Sequence, residues 1–161
     1  VPAITDECGY RSLGGLLVLA APFFAILVLR LGRRKRRRAR ERTADQISGG
    51  GDEFVDRVVD LGAPVPPRGT RRSGALAVED HFAVVPGTGE MTESASGGAA
   101  IALADRADAE VFGPGDPSAE DVEAFWHDVD ASATELASTQ SKWRQLRARV
   151  SPRSLRRKER K

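Results

Sequence analysis

Residues 48–55 read SGGGDEFV, and this stretch decides whether the middle of the chain forms a hairpin or a helix. Four apolar residues in and after it follow the i, i+1, i+4, i+5 spacing of one helix face: Phe54, Val55, Val58 and Val59. A half-buried strand would instead alternate with a period of two. The acids of the stretch also suit the first turn of a helix, where the helix dipole favours negative charge. The pattern predicts a helix over residues 52–61 that ends before Gly62.

The string GGDEF inside this stretch is also the signature of the diguanylate cyclases. In that family the string lies at the tip of a β-hairpin, with a strand on each side. Here a polar segment and an arginine-rich run precede it, and a helical pattern follows it. Because a short motif is informative only in its structural context, we interpret the match as accidental. A nucleotide cyclase remains an alternative function.

An apolar run without a charged residue lies upstream and reads LGGLLVLAAPFFAILVL over residues 13–29. At ~1.5 Å per residue it reaches about 26 Å, close to a hydrocarbon core of about 30 Å. Acids precede the run and arginines follow it, which is the order of a membrane anchor and not of a secretory signal peptide. The sequence predicts a transmembrane helix over residues 13–31 and a single-pass cell-membrane protein. We expect its N-terminus outside the cell and its C-terminus in the cytoplasm.

A basic run follows the apolar segment directly, with nine cations and one acid between residues 30 and 42. We predict that these cations set the orientation in the membrane and contact lipid headgroups, each gaining about 1 kcal/mol from anionic lipid. They are Arg30, Arg33, Arg34, Lys35, Arg36, Arg37, Arg38, Arg40 and Arg42. A membrane-tethered nucleic-acid-binding protein that uses the basic runs is an alternative. Only Trp143 offers an aromatic ring for base stacking among the arginines, so we expect the lipid bilayer, and not nucleic acid, to be the partner.

Charge is sorted along the rest of the chain. Residues 43–137 carry nineteen Asp/Glu and five Arg, a local net charge of −14, whereas residues 138–161 carry ten Arg/Lys and one Glu, a net charge of +9. Such blocks indicate separate roles for the segments. We expect the basic tail either to fold onto the acidic body or to contact the bilayer, and other proteins are further candidate partners.

The C-terminal third has a seven-residue apolar repeat. Val122, Val129, Leu136, Trp143 and Val150 recur at heptad spacing. Phe125 and Leu146 belong to the second series of the repeat, three residues further on, and the polar Ser132 and Thr139 fill its other positions. The pattern predicts one long helix that begins at a Ser118–Asp121 capping box and ends before Pro152. We interpret its stripe as a face packed on the rest of the domain, with a coiled coil as the alternative. The predicted packing residues are Val122, Phe125, Val129, Leu136, Trp143, Leu146 and Val150.

Two shorter helices are expected before this long one. Thr70 is placed to cap a helix that runs to about residue 85, and residues 99–112 carry a helical stripe. Residues 86–98 between them have the glycine-rich composition of a flexible loop. The predicted fold class is mainly α: one transmembrane helix, then a small cytoplasmic helical domain with flexible loops and a long C-terminal helix.

The predicted domain organisation follows from these segments. Residues 1–12 form an extracytoplasmic stub, residues 32–51 a basic collar and polar linker, and residues 52–161 the cytoplasmic domain with its basic tail. The chain has one cysteine and two histidines, which excludes an internal disulfide and a multi-cysteine metal site. No set of residues forms a recognisable catalytic or phosphate-binding motif. We expect no enzymatic activity, metal or cofactor.

Three stretches of the chain resemble one family: DLGAPVPP at residues 60–67, VFGPGDPSAEDVEAFWHDVD at residues 111–130 and WRQLRARVSPRSLRR at residues 143–157. Together with the order of the segments, they are similar to the C-terminal cytoplasmic region of actinobacterial transglutaminase-like membrane proteins, the family named for protein-glutamine gamma-glutamyltransferase. The resemblance implies a segment of a longer enzyme. The family's catalytic Cys, His and Asp lie in an extracytoplasmic domain that no stretch here matches. It therefore implies a non-catalytic, membrane-anchored accessory and interaction domain.

Overall fold

The structure, a computed structural model, describes residues 7–83 and 98–156, with side chains over residues 21–83 and 98–155. Within these ranges the chain forms α1 (Glu7–Arg38), α2 (Thr43–Leu61), α3 (Arg71–Ala83), α4 (Ala99–Phe112), α5 (Ala119–Ser138), α6 (Lys142–Arg149) and a 3-10 turn at Ser154–Arg156. The described residues contain no strand. The prediction of a mainly helical fold is confirmed.

Helix α2 lies at the centre of the body and packs against α1, α4, α5 and α6. Its buried face contributes Ile47, Phe54 and Val58 to the core, and α5 contributes most of the large side chains opposite. Phe125 and Trp126 of α5 are fully buried there. Burying such aromatic side chains accounts for a large share of the stability of a small helical body. Helices α3 and α4 pack against each other beside α2.

The glycine-rich segment predicted as a linker is the first half of α2, so that prediction is wrong. A Cβ on Gly49 would lie 2.9 Å from the Cβ of Arg37, and a Cβ on Gly50 would lie 2.9 Å from the Phe125 ring. Both distances are too short for a side chain, so the missing Cβ atoms let α1 and α5 approach α2 closely. Packing here outweighs the low helix propensity of glycine. The GGDEF string therefore lies within a helix and not on a hairpin.

The predicted long C-terminal helix is two helices, and that prediction is wrong. The start of α5 is as expected, because Ser118 and Asp121 form a reciprocal capping box. The end comes early, at Ser138, because hydroxyl groups bond the local backbone: Ser138 Oγ donates to the carbonyl of Glu135. Three residues later Ser141 accepts from the amide of Arg144 and caps α6. Serine and threonine compete with helix continuation in this way.

The membrane prediction is also wrong. No helix in the part of the chain that the structure describes is both long and apolar enough to cross a membrane. Helix α1 does not stop at residue 31 but continues through the basic run to Arg38, and seven of its residues from 21 onward are cationic. That part of α1 packs on the body through α2. The transmembrane helix over residues 13–31 and the single-pass cell-membrane location are therefore contradicted.

The two shorter helices lie close to their predicted positions. Helix α3 begins one residue after Thr70, and α4 covers the predicted residues 99–112. Gly98, with a φ of 84°, precedes α4. The rest of the predicted flexible loop and the first half of the predicted N-terminal stub lie outside the described residues.

Candidate functional site

The basic half of α1, residues 30–38, meets a stripe of acids on α2. Arg30 pairs with Asp60, Arg33 with Asp56, and Arg37 with both Glu53 and Asp56. Residues three and four apart share one face of a helix. The arginines at 30, 33 and 37 and the acids at 53, 56 and 60 therefore form two facing rows.

Arg37 is the most buried member of these rows, with 3% of its side chain exposed. Its guanidinium lies 3.0 Å from Glu53 Oε2 and 2.8 Å from Asp56 Oδ2. Burial opposes the charge of Arg37, but the charge and hydrogen bond of Asp56 outweigh it and raise the pKa of Arg37. A buried charge with two carboxylate partners is costly to break, since removing one member leaves the others unpaired.

Arg30 joins α1 to the C-terminal segment as well as to α2. Besides its ion pair with Asp60, its guanidinium donates to the carbonyls of Arg149, at 3.2 Å, and Ser151, at 3.0 Å. Asp60 in turn accepts from the amide of Ser154 at 3.2 Å. Three parts of the chain thus meet at the carboxylate of Asp60, a side chain that is 4% exposed.

A second contact links the basic half of α1 to α5. Arg34 donates two hydrogen bonds to Asp130, at 3.0 and 2.6 Å, and Arg57 of α2 pairs with the same carboxylate at 2.9 Å. Burial would raise the pKa of Asp130, but the hydrogen bond from Arg34 and the charges of Arg57 and Arg34 lower it. The Cζ atoms of Arg34 and Arg38 lie 5.4 and 4.7 Å from the ring centroid of Trp126, within cation–π range.

The other predicted headgroup-binding cations have different surroundings. Arg38 pairs with Glu123 at 3.7 Å and Arg42 with Asp116 at 3.7 Å, both on the surface. Arg40 donates to the carbonyl of Asp45, and Lys35 and Arg36 are exposed. The headgroup role of all nine depended on the membrane location that the structure contradicts. Sequence reasoning missed the acidic row of α2, although its spacing of three and four residues complements that of the arginines.

The predicted packing residues divide at the break between α5 and α6. Val122, Phe125, Val129 and Leu136 are buried in the core. Trp143 is 81% exposed and Leu146 is 55% exposed, and Val150 is half-buried. The prediction of packing for Trp143 and Leu146 is wrong, because the new helix start after residue 141 turns the stripe away from the core. Ala148 is the residue of α6 that enters the core instead.

The apolar half of α1, residues 21–29, extends from the body with large side chains in solvent. Five of them are between 42% and 69% exposed: Phe23, Phe24, Leu27, Val28 and Leu29. These positions spread over more than one face of the helix. A contiguous apolar surface of this kind marks an interaction site on a protein.

One acid of the GGDEF string, Glu53, belongs to the acidic row of α2. Glu53 pairs with Arg37 at 3.0 Å and with Arg57 at 3.4 Å. Among the residues over which the structure gives side chains, no three His, Cys, Asp or Glu lie close enough together to hold a metal ion. The basic half of α1 can form charged hydrogen bonds, and the apolar half of α1 can bury apolar surface.

Comparisons with models of protein families, with curated proteins and with solved structures find no match to this chain. Its function is therefore inferred from the geometry of the site.

Proposed function

We propose that the chain is a non-catalytic helical interaction domain. Its body holds the basic half of α1 at a fixed angle, and the apolar half of α1 is thereby presented to an apolar surface of another protein segment. The observation that carries the proposal is the pairing of Arg30, Arg33, Arg34 and Arg37 with carboxylates of α2 and α5.

The fixed angle follows from the directions of these contacts. Arg37 binds α2, Arg34 binds α5, and Arg30 binds both α2 and the backbone that follows α6. A rotation of α1 about its axis would move all three guanidinium groups off their partners at once. Because charged hydrogen bonds contribute about 1.5–3 kcal/mol each, such a rotation is strongly opposed.

The interaction surface follows from exposure. Each large apolar side chain that moves from water into a protein contact gains about 1.5–3 kcal/mol when fully buried. The apolar half of α1 offers several such side chains on one rigid rod, of which Phe24 is 69% exposed. The acidic and basic groups nearby are already paired with each other, so the contact that remains open is apolar.

The resemblance to transglutaminase-like proteins supports placing this domain within a larger enzyme. The motifs at residues 111–130 and 143–157 carry that resemblance. In such a protein the domain would act as an accessory part, joined through α1 to the portion that carries catalysis.

Spin-label distances test the fixed angle. In a Cys8→Ser background, labels at Ala25→Cys on α1 and Ala131→Cys on α5, both exposed positions, should give one narrow distance distribution. Adding Arg34→Gln and Arg38→Gln removes the contacts of α1 with α5 and should broaden it. Arg36→Gln, at an exposed cation without these contacts, is the matched control. Distance distributions of equal width in all three proteins would contradict the proposed fixed angle of α1.

Self-association of the purified protein tests the apolar surface of α1. In a purified sample, a second copy of the chain is the partner that can supply an apolar surface. Sedimentation velocity should detect association that Phe24→Ser with Leu29→Ser abolishes. The control is Leu76→Ser with Phe112→Ser, which removes apolar side chains that are 46% and 78% exposed elsewhere on the body. Equal association of both double variants would overturn the assignment of the surface to α1.

A further inference from the structure

A basic groove lies on another part of the body, where the end of α2, α3 and the α6 segment meet. Its volume is ≈ 560 Å³, within the range of about 300–1,000 Å³ that is usual for small-molecule sites. Four of its lining residues are basic or titrate near neutrality: His81, Arg144, Arg147 and Arg153. The groove takes no part in the contacts of α1 with α5.

No described carboxylate forms an ion pair with the arginines of this groove. Arg144 donates to the neutral side chain of Gln140 at 3.0 Å. Arg147 and Arg153 form no ion pair with any residue that the structure describes. The one carboxylate in the lining is Asp60, and it already binds Arg30 and the amide of Ser154. Positive charge therefore accumulates in the lining of a concave site.

The positive charge in the groove acts on the His81 side chain beside it. Burial, and then the positive charge of Arg144, lower the pKa of His81. The lining also contains the apolar residues Leu61, Val150 and Pro152. A concave site with an apolar floor and a few converging polar groups has the character of a small-ligand site.

We propose that this groove binds the phosphate group of a small phosphorylated molecule. Arginine presents a planar fork of N–H donors that matches the oxygens of phosphate, and such charged hydrogen bonds are the strong ones. Three converging arginines supply more positive charge than a single carboxylate balances, which favours a dianionic ligand. The site favours a small molecule over nucleic acid, because Trp143, the exposed aromatic ring of α6 on which a base could stack, is not part of the lining.

Calorimetry on the full chain tests this proposal, with inorganic phosphate, pyrophosphate and a nucleoside triphosphate as probes at constant ionic strength. Arg147→Ala with Arg153→Ala should weaken binding by about tenfold or more, from the loss of two charged contacts. Arg36→Ala with Arg68→Ala removes the same charge at exposed positions outside the groove and should change the affinity less than about twofold, as screened surface charges do. An equal loss in both double variants would overturn the site, because it would indicate non-specific attraction.

The two histidines provide a second readout that does not depend on affinity. A bound phosphate should raise the pKa of His81, measured by NMR. The NMR signals of the His127 ring should not respond to phosphate, because that side chain is 83% exposed and lies on α5 outside the groove. The rise should vanish in the Arg147→Ala, Arg153→Ala protein. Equal movement of both histidines, or tighter binding of a short nucleic-acid duplex than of any small probe, would overturn the proposal.

Discussion

The basic half of α1 and helix α6 are both short arginine-rich segments, yet the structure uses them in opposite ways. In α1, Arg33, Arg34 and Arg37 each lie against a carboxylate. In α6, Arg144 and Arg147 meet no carboxylate within the described residues and line an open groove. The C-terminal segment is held by its backbone instead, through carbonyls that accept from Arg30.

Composition alone therefore does not decide what an arginine does. Both segments could attract the same acidic body at long range, because charge attraction is not specific for one partner. Only α1 runs along α2 with its arginines in phase with the acids at 53, 56 and 60. The first segment is therefore a structural contact, and the second remains available for a ligand.

Removing one arginine from each segment tests whether the two segments differ in role. Arg37→Met leaves Glu53 and Asp56 buried without their main partner, and we expect it to lower the free energy of unfolding by about 3–5 kcal/mol. Arg147→Met, at an exposed position, should change it by less than about 0.5 kcal/mol. Urea denaturation of both variants measures the difference, and similar losses would show that the two segments do not differ in role.

A smaller effect tests how closely α1 must approach α2. In Gly49→Ala the new Cβ lies 2.9 Å from the Cβ of Arg37, and such overpacking costs about 1–3 kcal/mol, partly offset by about 1 kcal/mol of helix propensity. Gly51→Ala meets nothing within 4 Å and should stabilise α2. In thermal unfolding, Gly49→Ala should lower Tm and Gly51→Ala should raise it. A rise in both would indicate that α1 does not need the close approach.

The contact of α1 with α5 should depend on pH. Because the pKa of Asp130 is lower in the folded protein than the usual 3.8, its contribution to stability is present above pH 3.8 and is lost as the pH falls through the folded value. Asp130→Asn should therefore be less stable than the unmodified chain at pH 7, by an amount that shrinks on acidification. Asp116→Asn removes a carboxylate that is 73% exposed and should have little effect at pH 7. A deficit for Asp130→Asn that is constant with pH would contradict the ion pair.

The smallest expected effect concerns the groove beside α6. The pKa of His81 is lowered by burial and by Arg144, so the unfolded chain binds protons more readily and stability falls as the pH drops below 6.5. Arg144→Ala should raise the pKa of His81 toward 6.5 and reduce that fall. Arg149→Ala, on the same helix but outside the groove lining, is the control. NMR titration measures the pKa of His81 in both variants. An unchanged pKa of His81 in Arg144→Ala would rule out the charge contact.

Several local features could be predicted from the sequence because their causes are local. The helical character of residues 52–61, the stripe of α4 and the Ser118–Asp121 capping box each depend on side chains within a few residues of one another. The helical extent of residues 43–51 could not be predicted, because glycines at 49 and 50 are favourable only where Arg37 and Phe125 approach them. The positions of Trp143 and Leu146 depended likewise on a helix break at residues 139–141, which hydroxyl groups produce.

The mainly helical fold and the sorting of acids and bases into blocks can be read from the linear chain, because periodicity and charge order are properties of the sequence. Which arginines are paired follows from the folded arrangement of the helices. That choice depends on the relative phase of two helices, whose paired residues lie 16 to 30 positions apart in the chain. Charge attraction between unfolded segments is weak and unspecific, and close packing at Gly49 brings the two rows into contact.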